Sequence, residues 1–199
     1  MGAARLIILA SRSPQRRGLL GALGITFRVV ASDEAEDSDP GLPAEERVMA
    51  HARGKARDVA GRVGIPGGGA VLGADTEVVL DGIALGKAAD EADARGMLKA
   101  LAGREHTVMT GLVLVTAQGE HECLARATVR MRPIDDDVLR WYLGRGEWQG
   151  RAGAYAVQGA GGALIEGIEG EPSTVIGLPI GALGLLLDDA GLAPWGTAA

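Results

Sequence analysis

Three stretches of this chain carry side chains whose types and spacing suit chemistry on an anion. The first is Ser11-Arg12-Ser13-Pro14-Gln15-Arg16-Arg17. It follows the short apolar run Leu6–Ala10 and precedes Leu19, Leu20 and Leu23 at helical spacing, so it reads as a strand-to-helix junction. Ser13 suits the cap and Pro14 the first helical position. The unpaired N–H groups of such a helix start hold anions, and Ser11, Ser13 and Arg16 would add hydroxyl and guanidinium donors. A plain capped helix with surface arginines fits the same residues. The second stretch is Gly73-Ala74-Asp75-Thr76-Glu77, inside the apolar run Val71–Leu80. Aspartate is disfavoured in strands and an unpaired buried carboxylate is costly, so Asp75 needs a metal, a lysine or backbone donors. Strand alternation puts Asp75 and Glu77 on one face, where they could share a divalent cation or one proton; a solvated face is the alternative. The third signal is lysine itself. Of the 20 basic residues 17 are arginine, which leaves Lys55, Lys87 and Lys99. Where arginine is the habit, a lysine marks a place for a compact ammonium, although three residues could also survive by chance.

These residues need elements to position them. Phe27–Ala31 reads as a second strand, followed by an acidic loop from Ser32 to Pro43. Ala44–Val63 is a long helix, with Gly64 at its end and Pro66 beyond. Val71–Leu80 is a strand, Asp81-Gly82 a turn, and Asp90–Leu101 a helix ended by Gly103. Thr107–Thr116 and Cys123–Met131 pair across Gln118-Gly119. Asp135–Leu143 is a helix with acids in its first turn, Ala163–Ile168 and Thr174–Ile176 are short strands, and Pro179–Asp188 is a closing helix. Strands mixed with helices over this length imply an α/β protein with a mixed sheet.

Composition removes other classes. The length of 199 residues suits one domain, residues 1–199, and 47% hydrophobic with 23% charged residues excludes a disordered tail. No apolar stretch reaches the roughly 20 residues of a bilayer span, and the N-terminal apolar run is too short for a secretory leader. The single cysteine, Cys123, cannot form an internal disulfide; with the missing leader this predicts a cytoplasmic protein without a membrane partner. A net charge of −6 argues against nucleic acid as a partner. Gly67-Gly68-Gly69 precedes a strand instead of following one, and Gly159-Ala160-Gly161-Gly162 lacks the sixth-position glycine, so neither is a dinucleotide fingerprint.

Taken together, Leu9–Arg17, Gly73-Ala74-Asp75-Thr76, Leu85-Gly86-Lys87, Leu101–His106, Gly153-Ala154-Tyr155-Ala156-Val157-Gln158-Gly159 and Val175-Ile176-Gly177-Leu178-Pro179 resemble the Maf family of nucleoside triphosphate pyrophosphatases. The blocks follow the family's order from about Leu6 to Leu187. The resemblance implies an elongated, inosine-triphosphatase-like α/β fold with a central nucleotide cleft. It also implies hydrolysis of a nucleoside triphosphate to the monophosphate and pyrophosphate with a divalent cation, Mg²⁺ or Mn²⁺. Carried over residue by residue, it marks Ser11, Arg16, Glu36, Lys55, Asp75, Lys87 and Gln158, with Asp75 as the base and Glu36 beside it on metal or water. Ser13, Gln15 and Thr76 join the expected substrate-binding set.

Thr76 and Gln158 fit the dTTP/UTP branch, whereas Gln15 stands where that branch usually has arginine. A 7-methyl-GTP branch usually has tryptophan there, and remains an alternative substrate. A nucleotide-binding regulator of septum formation without turnover is the alternative from another class. Ala88 replaces a usual proline, and Glu77 stands where the family is mostly apolar, so its role cannot be carried over. His51 and His121 have no metal-ligand partners at suitable spacing, and His106 reads as a hydrogen-bonding position. Cys123 reads as a small core residue. Trp141, Tyr142 and Trp148 read as core or contacts of a homodimer, and Tyr155 borders the base pocket or shapes its turn.

The lysine reading generates a test. Lys87→Ala should lower pyrophosphate release by roughly 10²-fold or more, the scale of one preorganised charge, while Lys99→Ala stays near the parent rate. Equal effects at both positions would discredit the reading.

Overall fold

A computed structural model describes residues 5–34 and 41–195. In chain order the elements are β1 (Ile7–Leu9), α1 (Pro14–Ala22), β2 (Phe27–Val29), α2 (Ala44–Val63), β3 (Ala70–Leu80), β4 (Ile83–Leu85), α3 (Glu91–Leu101), β5 (Glu105–Thr116), β6 (Gly119–Met131), α4 (Asp136–Leu143), β7 (Ile165–Gly170), α5 (Pro172–Ile176) and α6 (Ile180–Asp189), with a 3₁₀ turn at Ala160–Leu164. One mixed sheet runs β2-β1-β3-β5-β6-β7, with β4 added to the far end of β3. β1 lies parallel to both β2 and β3, and every later pairing is antiparallel. The fold is the expected α/β class, a sheet flanked by helices. Among the described residues no helix is long and apolar enough to cross a membrane.

The apolar pattern explains the layers. Ile7 and Leu9 of β1 face one side with Leu72, Leu112 and Leu114, where α1 and α6 contribute Leu20, Leu183 and Leu187. Ile8 faces the other side with Val71 and Val113, where α2 contributes Ala52, Ala56 and Val59. The far ends of β3, β5 and β6 bury Val78, Val108 and Val129 against Leu98, Leu101, Leu139 and Tyr142 of α3 and α4. β3 is therefore covered on both faces, with α2 against the face that carries Gly73.

Glycine sets how close α2 comes. A Cβ on Gly73 would stand 2.2 Å from the Ala52 carbonyl oxygen, and one on Gly111 would stand 2.8 Å from the Met49 sulfur. Asp75 pairs with Gly111 in the β3–β5 register. The helix backbone is thus pressed onto the strand that carries the carboxylates.

The expected helix Ala44–Val63 is present over those bounds. The Asp81-Gly82 turn is present too, both residues having positive φ (51° and 79°), as a two-residue hairpin of the I′ kind requires. It leads into β4, a strand that sequence reading passed over. Two expectations are corrected. Thr174–Ile176 is the end of the one-turn helix α5, because Pro172 starts it and Gly177, at φ 110°, closes it; this overrides the β-branched residues. The strand expected at Ala163–Ile168 begins only at Ile165, after the 3₁₀ turn.

The close approach makes Gly73→Ala a severe substitution. It should lower stability by roughly 2–3 kcal/mol or more, since a methyl would have to displace helix backbone. A shifted urea midpoint at unchanged slope would record it; a midpoint within error of the parent would show that α2 can move away.

Candidate active site

A cleft of about 1520 Å³ opens over the middle of β3. Its floor is the stretch Asp75–Val78, which brings side chains of both faces of the strand into the lining; Asp75 and Glu77 share the face that meets α2. Successive residues on that face lie two apart, a rise of about 6.7 Å, and residues four apart on a helix rise about 6 Å. The two spacings nearly match, so α2, running antiparallel, presents Arg47, His51 and Lys55 one turn apart opposite Glu77 and Asp75. Arg47 donates Nε and Nη2 to the two Glu77 oxygens at 2.7 and 2.6 Å, and Nη1 to the Leu42 carbonyl at 3.0 Å. Lys55 Nζ donates to Asp75 Oδ1 at 2.7 Å, and His51 Nδ1 lies 3.3 Å from Oδ2. Asp75 and Lys55 are both buried. Burial opposes ionisation of Asp75, but the His51 hydrogen bond and the charges of Lys55 and Arg16 outweigh it, so the carboxyl titrates below its ordinary value.

The wall beside α1 begins at a capped helix start. Ser13 Oγ accepts from Arg16 N at 3.4 Å and donates to Gln15 Oε1 at 3.0 Å. Arg16 donates to Ser11 Oγ (3.2 Å), the Gly177 carbonyl (2.7 Å) and Thr76 Oγ1 (2.9 Å). Thr110 Oγ1 lies 2.9 Å from Thr76 Oγ1 and gives its own proton to the Thr174 carbonyl at 2.8 Å. Thr76 must therefore donate to Thr110, which fixes a directed relay from Arg16 through both threonines.

The opposite wall carries Lys87, whose backbone bridges antiparallel to Ala152, with Arg151 and Tyr155 nearby. The Tyr155 hydroxyl lies 2.8 Å from His106 Nε2. Burial pushes the His106 pKa down to about 4, so the ring is neutral at pH 7.

The cleft thus gathers Ser11, Ser13, Gln15, Arg16, Lys55, Asp75, Thr76 and Lys87. It does not gather Gln158, which is exposed and outside the lining. Just beyond it, the Glu147 carboxylate accepts from the Ala160 and Gly161 amides at 2.9 and 3.2 Å. Glu36 lies outside the described residues; Ser32–Glu34 before it and Leu42-Pro43 after it line the cleft.

Sequence reading missed Arg47 and His51. The expectation that His51 lacks metal-ligand partners is overturned, because its partners arrive from another element: donor atoms of His51, Asp75 and Glu77 all lie within 4.8 Å of one another. Two carboxylates and an imidazole fit a divalent cation. Asp75 is ionised, and each carboxylate oxygen keeps lone pairs beyond its Lys55, His51 or Arg47 bond. His121 instead meets Asp189 at 2.6 Å on the surface, and Lys99 meets Asp136 at 3.0 Å. Tyr142 and Trp148 are core, Trp141 is exposed under Arg145, and Cys123 is only half-buried.

Residues 6–190 match the family described as Maf-like protein. The chain belongs to the Maf family. It is 43% identical over 194 residues to the dTTP/UTP pyrophosphatase of Anaeromyxobacter dehalogenans (strain 2CP-C), covering 95% of this chain and 96% of that one. Identity is 45% over 193 residues with the dTTP/UTP pyrophosphatase of Myxococcus xanthus, covering 96% and 95%. It is 43% over 187 residues with that of Pelotomaculum thermopropionicum, covering 93% and 96%. The Maf match spans both cleft walls and the floor.

His106 gives this Maf protein a predictable acid limit. The group takes a proton near 6.5 when unfolded but only near 4 when folded. Between those values the unfolded chain binds more protons, so stability should fall as pH drops from 6.5 toward 4. His106→Gln should flatten that part of the pH–stability curve in urea titrations; an unchanged slope would show that other groups cause it.

Proposed function

We propose that this chain hydrolyses nucleoside triphosphates, dTTP and UTP foremost, to the nucleoside monophosphate and pyrophosphate. The carrying observation is Asp75: an ionised, buried carboxylate fixed by Lys55 and His51 on the floor of a cleft with cationic walls. A mere nucleotide binder has no need to keep an ionised carboxylate buried there, which favours an enzyme over a regulator. The substrate follows from the relatives, all three named for dTTP and UTP.

In this reading the α1 start, with Ser11, Ser13 and Arg16, holds the α-phosphate. The Thr76–Thr110 relay and the Gly177 carbonyl keep the Arg16 guanidinium in one orientation, so little order is lost when substrate binds. Water attacks the α-phosphorus, the bond to the bridging oxygen breaks, and its electron pair leaves with pyrophosphate. Asp75 is ionised across the neutral range, so it orients the water and accepts its proton as the new P–O bond forms. Lys87 faces the charge that gathers on the leaving group. His51, Asp75 and Glu77 would hold a divalent cation, with Glu36 beside them in the family pattern; when bound, it would neutralise phosphate charge and polarise the P–O bonds. Mg²⁺ or Mn²⁺ suits the two carboxylates. Gln15, whose amide can donate and accept, would meet the base edge, where an N3–H stands between two carbonyls, and Thr76, its proton given to Thr110, could add only an acceptor. Residues 1–199 would act as one catalytic unit on free nucleotides in the cytoplasm.

Asp75→Asn should lower kcat by about 10³-fold or more while circular dichroism stays that of the parent. Activity within about threefold of the parent would remove Asp75 from the base role. Across a nucleotide panel, kcat/KM should be highest for dTTP and UTP, with a narrow margin because Gln15 replaces the usual arginine. A strong preference for 7-methyl-GTP would refute the pyrimidine assignment, and no turnover of any nucleotide would leave the regulator.

A further inference from the structure

Arg151 is a cation in the cleft wall with nothing to hold. Its Nε is buried without a hydrogen-bond partner, and no ion pair or side-chain hydrogen bond joins it to another described residue. Arg16 and Arg47, in the same cleft, are tied down by three bonds each. With Nε enclosed by protein, the fork is anchored at its base, and its Nη groups, which no described side chain occupies, are the donors that an incoming acceptor would meet.

The backbone around Arg151 is built to keep it there. Gly150 and Gly153 adopt φ of 68° and 65°, and Ala154, fully buried, is held at 60° although it is not glycine. Strain of this kind persists where surrounding structure over-determines it, and it concentrates at ligand sites. The surrounding bonds are visible: Arg151 N donates to the Trp148 carbonyl at 3.2 Å, Ala154 N to the Arg151 carbonyl at 3.1 Å, and Gly153 N reaches the Leu85 and Gly86 carbonyls at 3.2 and 3.1 Å. The bridge between Lys87 and Ala152 then puts Arg151 next in line to the residue paired with Lys87.

We infer that Arg151 is a substrate-contacting residue that works with Lys87 to bind the β- and γ-phosphates and the pyrophosphate formed from them. The inference rests on the proposed reaction: with the α-phosphate against Ser11–Arg16 and water beside Asp75, the leaving group faces the Lys87–Arg151 wall. A planar guanidinium suits two oxygens of one phosphate at once, which an ammonium cannot match.

The direct measurement is calorimetric binding of inorganic pyrophosphate with Mg²⁺ to the full chain, alongside dTMP and UMP. Arg151→Gln should weaken pyrophosphate binding at least tenfold and leave monophosphate binding within twofold. Arg151→Lys, which keeps charge without the fork, should lose about threefold. Arg140→Gln, an exposed control, should match the parent. In turnover, Arg151→Gln should raise the Ki of pyrophosphate as a product inhibitor along with lowering kcat. Pyrophosphate affinity within twofold of the parent for Arg151→Gln, equal loss of both ligands, or no pyrophosphate binding by the parent would each overturn the inference. Absence of nucleotide hydrolysis by the parent would instead refute the proposed reaction, and the binding comparison would still decide Arg151.

Discussion

Everything around the cleft follows from placing one carboxylate, Asp75, inside a sheet covered on both faces. Such a group is tolerated only with charge and hydrogen-bond compensation within contact distance. The chain supplies it from α2, with Lys55 at 2.7 Å and His51 at 3.3 Å. A four-carbon stem can bring an ammonium that close only if the helix itself is close, and helix approach is limited by the side chains between. Gly73 and Gly111 remove those side chains where α2 crosses β3 and β5. Two glycines and a buried ion pair are thus one device. Glu77 extends it, because Arg47 closes both of its oxygens and also holds the Leu42 carbonyl, tying the start of α2 to the cleft.

The opposite face of the same strand does different work. Thr76 points away from α2 and joins Arg16 to Thr110, and Thr110 joins them to the Thr174 carbonyl of α5. Alternation along three residues of β3 therefore sends the Thr76 hydroxyl to Arg16 and the Asp75 and Glu77 carboxylates to Lys55 and Arg47, all within the lining of one cleft. The one-turn helix α5 matters here out of proportion to its length: its closing residue, Gly177, offers Arg16 a carbonyl at 2.7 Å.

Much of this was legible in the residues. The capped start at Ser13-Pro14, the helix Ala44–Val63, the Asp81-Gly82 turn and the oddity of an aspartate in an apolar strand are local signals. Rarity of lysine singled out Lys55 and Lys87, and both line the cleft. What escaped reading depends on which elements face each other. His51 has no ligand partner nearby in sequence, and the four-residue spacing of Arg47, His51 and Lys55 means little until α2 is known to lie on Gly73, Asp75 and Glu77. That spacing was nevertheless the available clue. Thr174–Ile176 misled because β-branched residues favour strands, while a proline and a glycine at its ends decided otherwise. Gln158 belongs to a recognised block, yet it is exposed and is not among the residues that line the cleft.

Charge balance explains why so many cations can sit around one cleft without destabilising it. Asp75 and Glu77 are matched by Lys55 and Arg47, which leaves that cluster near neutral, while Arg16 is dispersed among neutral oxygens. Lys87 stands at the exposed rim, where water screens it. The resting cleft is therefore tolerable, but it is not saturated: on the proposed function a triphosphate would add several negative charges, to be met by Arg16, by Lys87 and Arg151, and by a bound cation. A divalent ion between His51, Asp75 and Glu77 would in turn need those phosphate oxygens, since Lys55 and Arg47 already offset the two carboxylates. On the proposed function, metal and nucleotide would each supply the charge that the other lacks, and the two would bind together.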